Sequence, residues 1–278
     1  MKLKVASFNV ALCPSLRNSF DQHKQNIINF ITTKLQDCDL VLLQEASGSW
    51  TSPCINSATS SSSWCSMLSV MVGTIIPTTY SNLRQDIIDS TNSVFPYSFA
   101  SSQLKRYACL CPLNVYDTGL LILSKHELTD CYEEVFDRNI DLGMKGMLHC
   151  KIENVHIMNT HLIPDSYGTN LANRLRKDQL KDLKSAICHM DEVIIGGDFN
   201  ICSTTDVPQY KAMLTYLELQ DTACSDGKRS PTYIGDIDTV EDDQRIDYIL
   251  SRSLESRNNT VYITDVSDHR PISVELYF

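Results

Sequence analysis

The chain has 278 residues, of which 42% are hydrophobic and 21% charged, values that point to a packed globular core and away from disorder. Its net charge is −10 and no run of lysine or arginine stands out, which argues mildly against a polyanionic substrate bound through a basic stripe. No stretch reaches the ~18 uninterrupted apolar residues of a membrane span. Met1-Lys2-Leu3-Lys4 runs straight into a strand-like segment instead of an apolar leader. A cytoplasmic location is therefore expected, or secretion if a leader has been removed.

Val5 to Val10 reads as the first strand. Phe20, Ile27, Ile31 and Leu35 then recur at three- and four-residue spacing, as on the buried face of a helix. Asp39 to Glu45 is an apolar run ending in a carboxylate, the pattern of a strand covered on both faces. Residues 46–66, with Ser60-Ser61-Ser62-Ser63, read as a long surface loop. The stretch 67–112 has little periodicity, although residues 83–88 fit a helix.

Residues 119–124 and 146–152 read as strands. Val155 to Leu162 alternates, which places Val155, Ile157, Asn159 and His161 on one side. Residues 172–190 form an amphipathic helix, Val193 to Asn200 a buried strand, and 245–250 and 272–276 two more. With neither linker nor repeat, residues 1–278 are expected to form a single α/β domain.

The eleven cysteines mostly stand singly in apolar surroundings, as Cys38, Cys150 and Cys188 do, where a thiol behaves as a small hydrophobe. There is no paired Cys-x-x-Cys for zinc, and reduced cysteines are expected, with disulfides through Cys54, Cys65, Cys109 or Cys111 open to an exported chain.

Asn9, Glu45, Asp198 with Asn200, Asp247, and Asp268 with His269 all lie in or at the ends of apolar strands. Ionised carboxylates at the rim of a core are costly unless paired or bound to a cation. Their convergence points to a cation site or an acid–base constellation. Taken singly, each has a plainer reading as a turn residue, a helix cap or a structural histidine. Together and in this order they argue against it.

The ordered set resembles the endonuclease/exonuclease/phosphatase superfamily of deoxyribonuclease-like metal hydrolases. The resemblance rests on Ser7-Phe8-Asn9-Val10, Leu42-Leu43-Gln44-Glu45, Thr118 to Lys125 and Asn159-Thr160-His161-Leu162. It continues through Gly196-Gly197-Asp198-Phe199-Asn200, Arg245 to Leu250 and Ser267-Asp268-His269-Arg270-Pro271-Ile272. It implies a four-layered α/β/β/α sandwich, two mixed sheets face to face with helices outside. It also implies that Glu45 is the principal Mg²⁺ ligand, with Asn9 beside it and Asp268 supporting the metal side; Mn²⁺ or Co²⁺ could substitute. Asp198 and Asn200 would orient or activate water and hold the phosphate. His269, oriented by Asp247, would act as base or phosphate contact, and His161 would bond a phosphate oxygen. Carboxylate and amide oxygens suit a hard cation, and a histidine suits proton transfer near neutral pH.

Within that superfamily the sequence is most similar to neutral sphingomyelinases and bacterial sphingomyelinase C. The similarity lies in Lys145 to Ile152, the Arg-x-x-Gln-Leu run Arg176–Leu180 and the segment Asp206 to Leu214. By the same likeness Lys145, with Asp141 upstream, would contact the substrate or order the site, and Asn159 of the Asn159-Thr160-His161-Leu162 motif is expected among the substrate-binding residues. The stretch 251–265 is short and polar where membrane-attacking bacterial members carry an apolar hairpin, so stable membrane insertion is not expected. The expectation is a monomeric phosphodiesterase acting on a phospholipid or another phosphodiester. A nuclease or other phosphoesterase of the superfamily is the second reading. A catalytically dead binding module is disfavoured, because no member of the catalytic set is missing.

Overall fold

The computed structural model describes residues 1–12, 20–46, 83–101, 105–106, 115–116, 118–137, 145–223, 230–234 and 244–278. The first sheet takes β1 (Lys2–Leu12), β2 (Leu40–Ala46), β3 (Tyr97–Ala100), β6 (Leu121–Ser124), β13 (Glu255–Val261) and β14 (Ile272–Tyr277), in the order β13-β14-β1-β2-β6-β3. The second takes β7 (Thr129–Val135), β8 (Gly146–Ile152), β9 (Val155–His161), β10 (Val193–Asp198), β11 (Gln220–Asp221) and β12 (Asp247–Arg252), in the order β11-β12-β10-β9-β8-β7. A separate ribbon pairs β4 (Lys105–Arg106) with β5 (Val115–Tyr116). The helices are α1 (Phe20–Lys34), α2 (Leu83–Thr91), α3 (Thr169–Ile187) and α4 (Val207–Leu217).

Apolar side chains fill three interfaces, which gives four layers. Ile27, Ile31 and Ile87 of α1 and α2 pack on Phe8, Val41 and Leu43 outside the first sheet. Leu180, Leu183 and Met213 of α3 and α4 pack on Met158, Val193 and Ile195 outside the second. Between the sheets lie Leu3, Val5, Leu42, Leu148, Ile157, Ile194, Ile249 and Val274. Each such side chain stabilises the fold by ~1.5–3 kcal/mol when fully buried. The sheets approach closely at Gly196, where a Cβ would stand 2.5 Å from Leu42 Cδ1, so a side chain there would have to displace Leu42.

Strand alternation carries the functional residues to the same layer. Leu3 and Val5 face the other sheet, so Ser7 and Asn9 follow them inward; the same two-residue period turns Asp198 in after Ile194, His161 after Ile157, and Asp247 to the side of Ile249. β1 and β2 are parallel, as are β9 and β10, and their C-terminal ends meet at one end of the sandwich. The alternation of β9 is the one its sequence predicts.

Other segments differ from their sequence reading. Residues 255–261 form the edge strand β13 on β14, and the polarity of this stretch follows from its outer edge position. The strand at 129–135, the short strand at 97–100 and the helix at 207–217 carry no clear period in sequence. The 46–66 loop falls outside the described residues apart from Ala46, as do Asp141, Cys54, Cys65, Cys109 and Cys111. Cys38, Cys131, Cys150, Cys188 and Cys202 are free thiols, and no helix among the described residues is long and apolar enough to cross a membrane.

Candidate active site

Asp198 is the hub where the two sheets meet. Its Oδ2 accepts a hydrogen bond from Asn9 Nδ2 at 3.1 Å, lies 3.4 Å from His161 Nε2, and is 3.8 Å from His269 Nε2. Its Oδ1 accepts the Asn200 backbone N–H at 2.9 Å. Three chain segments far apart in sequence thus converge on one carboxylate that is 2% exposed. Burial first, and then the neighbouring Asp247 charge, push the Asp198 carboxyl well above the ordinary carboxylate range, against the lowering pull of His269, Asn200 and Asn9.

His269 is held by Asp247, whose Oδ2 lies 2.9 Å from Nδ1 and Oδ1 3.1 Å. Burial alone would lower this imidazole, but the Asp247 carboxylate, helped by Asp198 and Asp268, raises it to about 10. It is therefore cationic at neutral pH. Register pairing sets Asp198 directly opposite Asp247, which explains how one histidine comes to face both carboxylates.

His161 has the opposite character. Burial first, then the charges of Lys145 and His269, hold it well below its usual value, so it is neutral. Lys145 Nζ lies 3.2 Å from Nδ1 and 3.0 Å from Nε2. A tautomer with the proton on Nε2 donates toward Asp198 and accepts from Lys145, satisfying both neighbours. Lys145 itself is buried, so its ammonium is part of the site and not a solvated surface charge.

On the first sheet, Asn9 Nδ2 also donates to Glu45 Oε1 at 3.2 Å. Glu45 should point outward by alternation with Val41 and Leu43. Its left-handed φ of 56° resets the strand end and returns the side chain to Asn9. The next residue is anchored by the Ala46 N–H donating to Gly119 O at 2.8 Å, and Gly119 passes so close that its Cβ would be 3.2 Å from the Glu45 Cα. Asn200, at φ 51°, donates its amide to Leu162 O at 2.9 Å, which ties the end of β10 to the end of β9.

The structure thus brings together Asn9, Glu45, His161, Asp198, Asn200, Asp247, His269 and Lys145. Asp268 sits beside them: Ser267 Oγ donates to Asn9 O at 2.9 Å and to Asp268 Oδ1 at 3.2 Å, stapling this loop to the end of β1. Asn159 does not join as expected. Its amide donates to Leu43 O at 2.8 Å and Leu121 O at 3.0 Å and its oxygen accepts from Gln44 Nε2 at 2.7 Å. With both amide hydrogens used across the sheet interface, it is a strut between sheets, not a substrate contact.

Several supporting residues surround this set. Thr232 Oγ1 accepts the backbone N–H groups of Ile246 and Asp247, each at 3.1 Å, and the Tyr233 ring packs 5.0 Å from the His269 ring. On α3, the buried Arg176 donates to Ile163 O at 3.0 Å and Asp165 at 2.6 Å, while Gln179 accepts the Ile163 N–H at 3.1 Å. The Arg-x-x-Gln spacing therefore fixes the loop that leaves His161. Arg245 forks onto Asp221 at 2.6 and 2.8 Å behind the site, with Tyr210 donating to the same carboxylate. A cavity of about 590 Å³ opens to one side, between Thr222, Asn259 and Ser273, without any of the central residues in its wall.

Asp198, Asp247 and His269 offer ligand atoms within 4.8 Å of one another, a grouping able to hold a divalent metal. This differs from the set of Glu45, Asn9 and Asp268 expected from sequence. The His269–Asp247 contact at 2.9 Å occupies two of the three groups with each other, so they read better as a proton-handling pair. The fit to a hard cation is better at Glu45, whose carboxylate oxygens are the donors such an ion prefers and which faces Asn9 at the end of β2. Asn9 Oδ1 here accepts the Ala11 N–H at 3.1 Å, so in this arrangement Asn9 holds the carboxylates with its nitrogen.

Comparison with known proteins gives the family and the fold. The Endonuclease/Exonuclease/phosphatase family profile matches residues 6–269. A UPF0294 protein of Photorhabdus laumondii is 30% identical over 122 residues, which is 44% of this chain and 42% of that protein, so the match spans less than half of its length. An endonuclease/exonuclease/phosphatase of Beutenbergia cavernae superposes with a TM-score of 0.71 at 16% identity, covering 99% of this chain and 71% of that one. Sphingomyelinase C of Streptomyces griseocarneus superposes with a TM-score of 0.69 at 17% identity, covering 99% of each. At these identities the superpositions bear on the fold: the two-sheet α/β sandwich is shared.

Proposed function

The chain belongs to the Endonuclease/Exonuclease/phosphatase family, and on that premise we propose that it is a Mg²⁺-dependent phosphodiesterase of the sphingomyelinase C type, releasing phosphocholine from a choline phospholipid. The observation that carries the hydrolase reading is Asp198, a buried carboxylate with raised proton affinity, flanked by a cationic His269 and by the Lys145–His161 pair. The branch is supported by the Lys145 to Ile152, Arg176–Leu180 and Asp206 to Leu214 segments. The likeness in fold to sphingomyelinase C is compatible with it.

Glu45 would hold the cation, with Asn9 and Asp268 beside it. When bound, a hard divalent ion offsets charge that grows on the phosphate and leaving oxygens. Asp198 removes the proton from the attacking water, a task for which its raised pKa makes it a better base than an ordinary carboxylate. The water oxygen forms a bond to phosphorus as the bond to the lipid alcohol breaks. His269, already protonated and steadied by Asp247, gives its proton to the departing alkoxide. Lys145 and His161 face the phosphate oxygens, and Asn200 keeps the β9 and β10 ends aligned.

The test is product analysis with purified protein and Mg²⁺. Phosphocholine release from detergent-dispersed sphingomyelin, abolished by chelation and restored by Mg²⁺, is the expected result. Cleavage of duplex or abasic DNA, steeply weakened by salt and without phosphocholine release, would replace the lipid branch with a nuclease. Full hydrolysis of sphingomyelin in chelator would overturn the metal assignment itself.

A further inference from the structure

We propose that His149 and His156, paired across β8 and β9 at the far end of the second sheet, form a binding site for a first-row divalent transition metal such as Zn²⁺. The site is independent of the hydrolytic centre. His156 precedes His161 by five positions on one strand, which separates the two places by roughly 16 Å along β9. It is also on the other face. Leu148, Cys150 and Ile157 point between the sheets, whereas Met147 and Met158 point to the helix side, and His149 and His156, each two positions from one of these methionines, share that outer face.

The geometry is that of two imidazoles already converged. His149 Nε2 lies 2.9 Å from His156 Nδ1, and the ring centroids are 5.1 Å apart. His149 Nδ1 is 3.2 Å from the Asp130 carbonyl oxygen, to which it can only donate, so its lone pair is left on Nε2, facing His156. A backbone carbonyl bonded to the remote ring nitrogen is the arrangement that orients metal-ligating histidines. The Tyr132 ring, 4.6 Å from the His149 ring, packs against it and limits its rotation.

Without metal, His156 Nδ1 donates the shared proton to His149 Nε2. A metal ion replaces that proton: His156 moves to its Nε2–H tautomer, and both lone pairs then face one point. Two nitrogens ~2.0–2.1 Å from a tetrahedral ion stand roughly 3.3 Å apart, so the pair opens by only a few tenths of an ångström. His189, just beyond α3, lies close enough to His156 for their charges to interact, and the Asp130 carboxylate stands on the same side. Water would complete the coordination. Lys151 is the opposing charge, and its ammonium is 3.1 Å from Asp130 Oδ2, which partly neutralises it. Imidazole-rich sites select Zn²⁺, Cu²⁺ or Ni²⁺ over Mg²⁺, so the two cation sites of this chain would not compete for one metal.

The test uses Co²⁺ as a spectroscopic probe and Zn²⁺ as competitor, with Mg²⁺ in excess. The intense visible bands of tetrahedral Co²⁺ should appear and be displaced by one equivalent of Zn²⁺. The half-buried His156→Asn should weaken Zn²⁺ binding beyond the ~10–100-fold typical of losing a supporting contact, while leaving Mg²⁺-dependent hydrolysis unchanged. Unchanged affinity in that variant would overturn the site, as would a sulfur-to-cobalt charge-transfer band showing that exposed Cys131 or Cys188 binds instead. The wild-type chain gives a check free of any folding defect: ring-nitrogen NMR signals of His149 and His156 should shift with one equivalent of Zn²⁺, and absence of a shift refutes the proposal.

Discussion

In the first sheet the parallel pair β1–β2 is joined through α1 and flanked by antiparallel β14 and β6; in the second the parallel pair β9–β10 is joined through α3 and flanked by antiparallel β8 and β12. Both pairs end at the active centre, β1 and β2 with Asn9 and Glu45, β9 and β10 with His161 and Asp198. The contributions differ because the burial differs. Asp198 and His161 are each 2% exposed, face one another, and have strongly displaced proton affinities, whereas Glu45 keeps contact with solvent at a strand end turned by a left-handed residue. On the function proposed above, one architecture would supply a cation anchor from one sheet and proton chemistry from the other. The loop before β14 crosses this division, bringing His269 from the first sheet to Asp247 of the second.

That division of labour can be broken experimentally. Asp198→Asn should reduce turnover by ~10³-fold or more and not recover with added Mg²⁺, since the lost function is proton transfer. Glu45→Gln should lose comparable activity at low Mg²⁺ but recover part of it at high Mg²⁺. Equal rescue of both variants would show that the sheets do not differ in role.

His269→Ala and Asp247→Asn should each cost ~10²-fold, and the double variant should be little worse than His269→Ala. Multiplying losses in a measured double-mutant cycle would separate the two residues. Asn159→Ala sharpens the comparison from the other side. It removes a buried strut between the sheets and should cost ~3 kcal/mol of stability by denaturant titration, with turnover per folded molecule largely kept. A large fall in turnover with stability intact would restore the substrate role read from sequence.

Lys145→Ala should lower turnover by ~10-fold, with KM little changed if the ammonium acts mainly on the transition state. The pH–rate profile is the mildest probe. Burial and Asp247 raise Asp198, so activity should increase as pH rises through its elevated pKa and the carboxylate becomes available as base. Asp247, with Asp198 and Asp268, raises His269 to about 10, so activity should fall as pH rises through that value and its proton is lost. A profile limited only by an ordinary carboxylate and an ordinary imidazole would place the titrating groups elsewhere.

Much of this centre was legible in the chain. Apolar runs with polar ends identified the central strands, and the two-residue period put His161 on the inner face of β9. The order from Asn9 to His269 carried the family and, through it, the sandwich. The edge strand β13 was not legible, because a strand with one face in solvent carries a polar sequence like that of a loop. Nor was the role of Arg176, a charged residue in an amphipathic helix whose place in the core depends on carbonyl and carboxylate partners in the loop after His161. Thr232 and Tyr233 were silent for the same reason.

The sequence by itself determined which residues end the buried strands, because local alternation and apolar runs are written into neighbouring positions, and their order carried the family. Only the tertiary structure decided how the set divides. It turned Glu45 against its alternation, took Asn159 out of the site by satisfying its amide across the sheets, and set Asp198 beside two histidines of opposite charge state. Those outcomes depend on distances between residues far apart in the chain. Proton affinity follows from burial and nearby charge, neither of which exists until the two sheets close on each other.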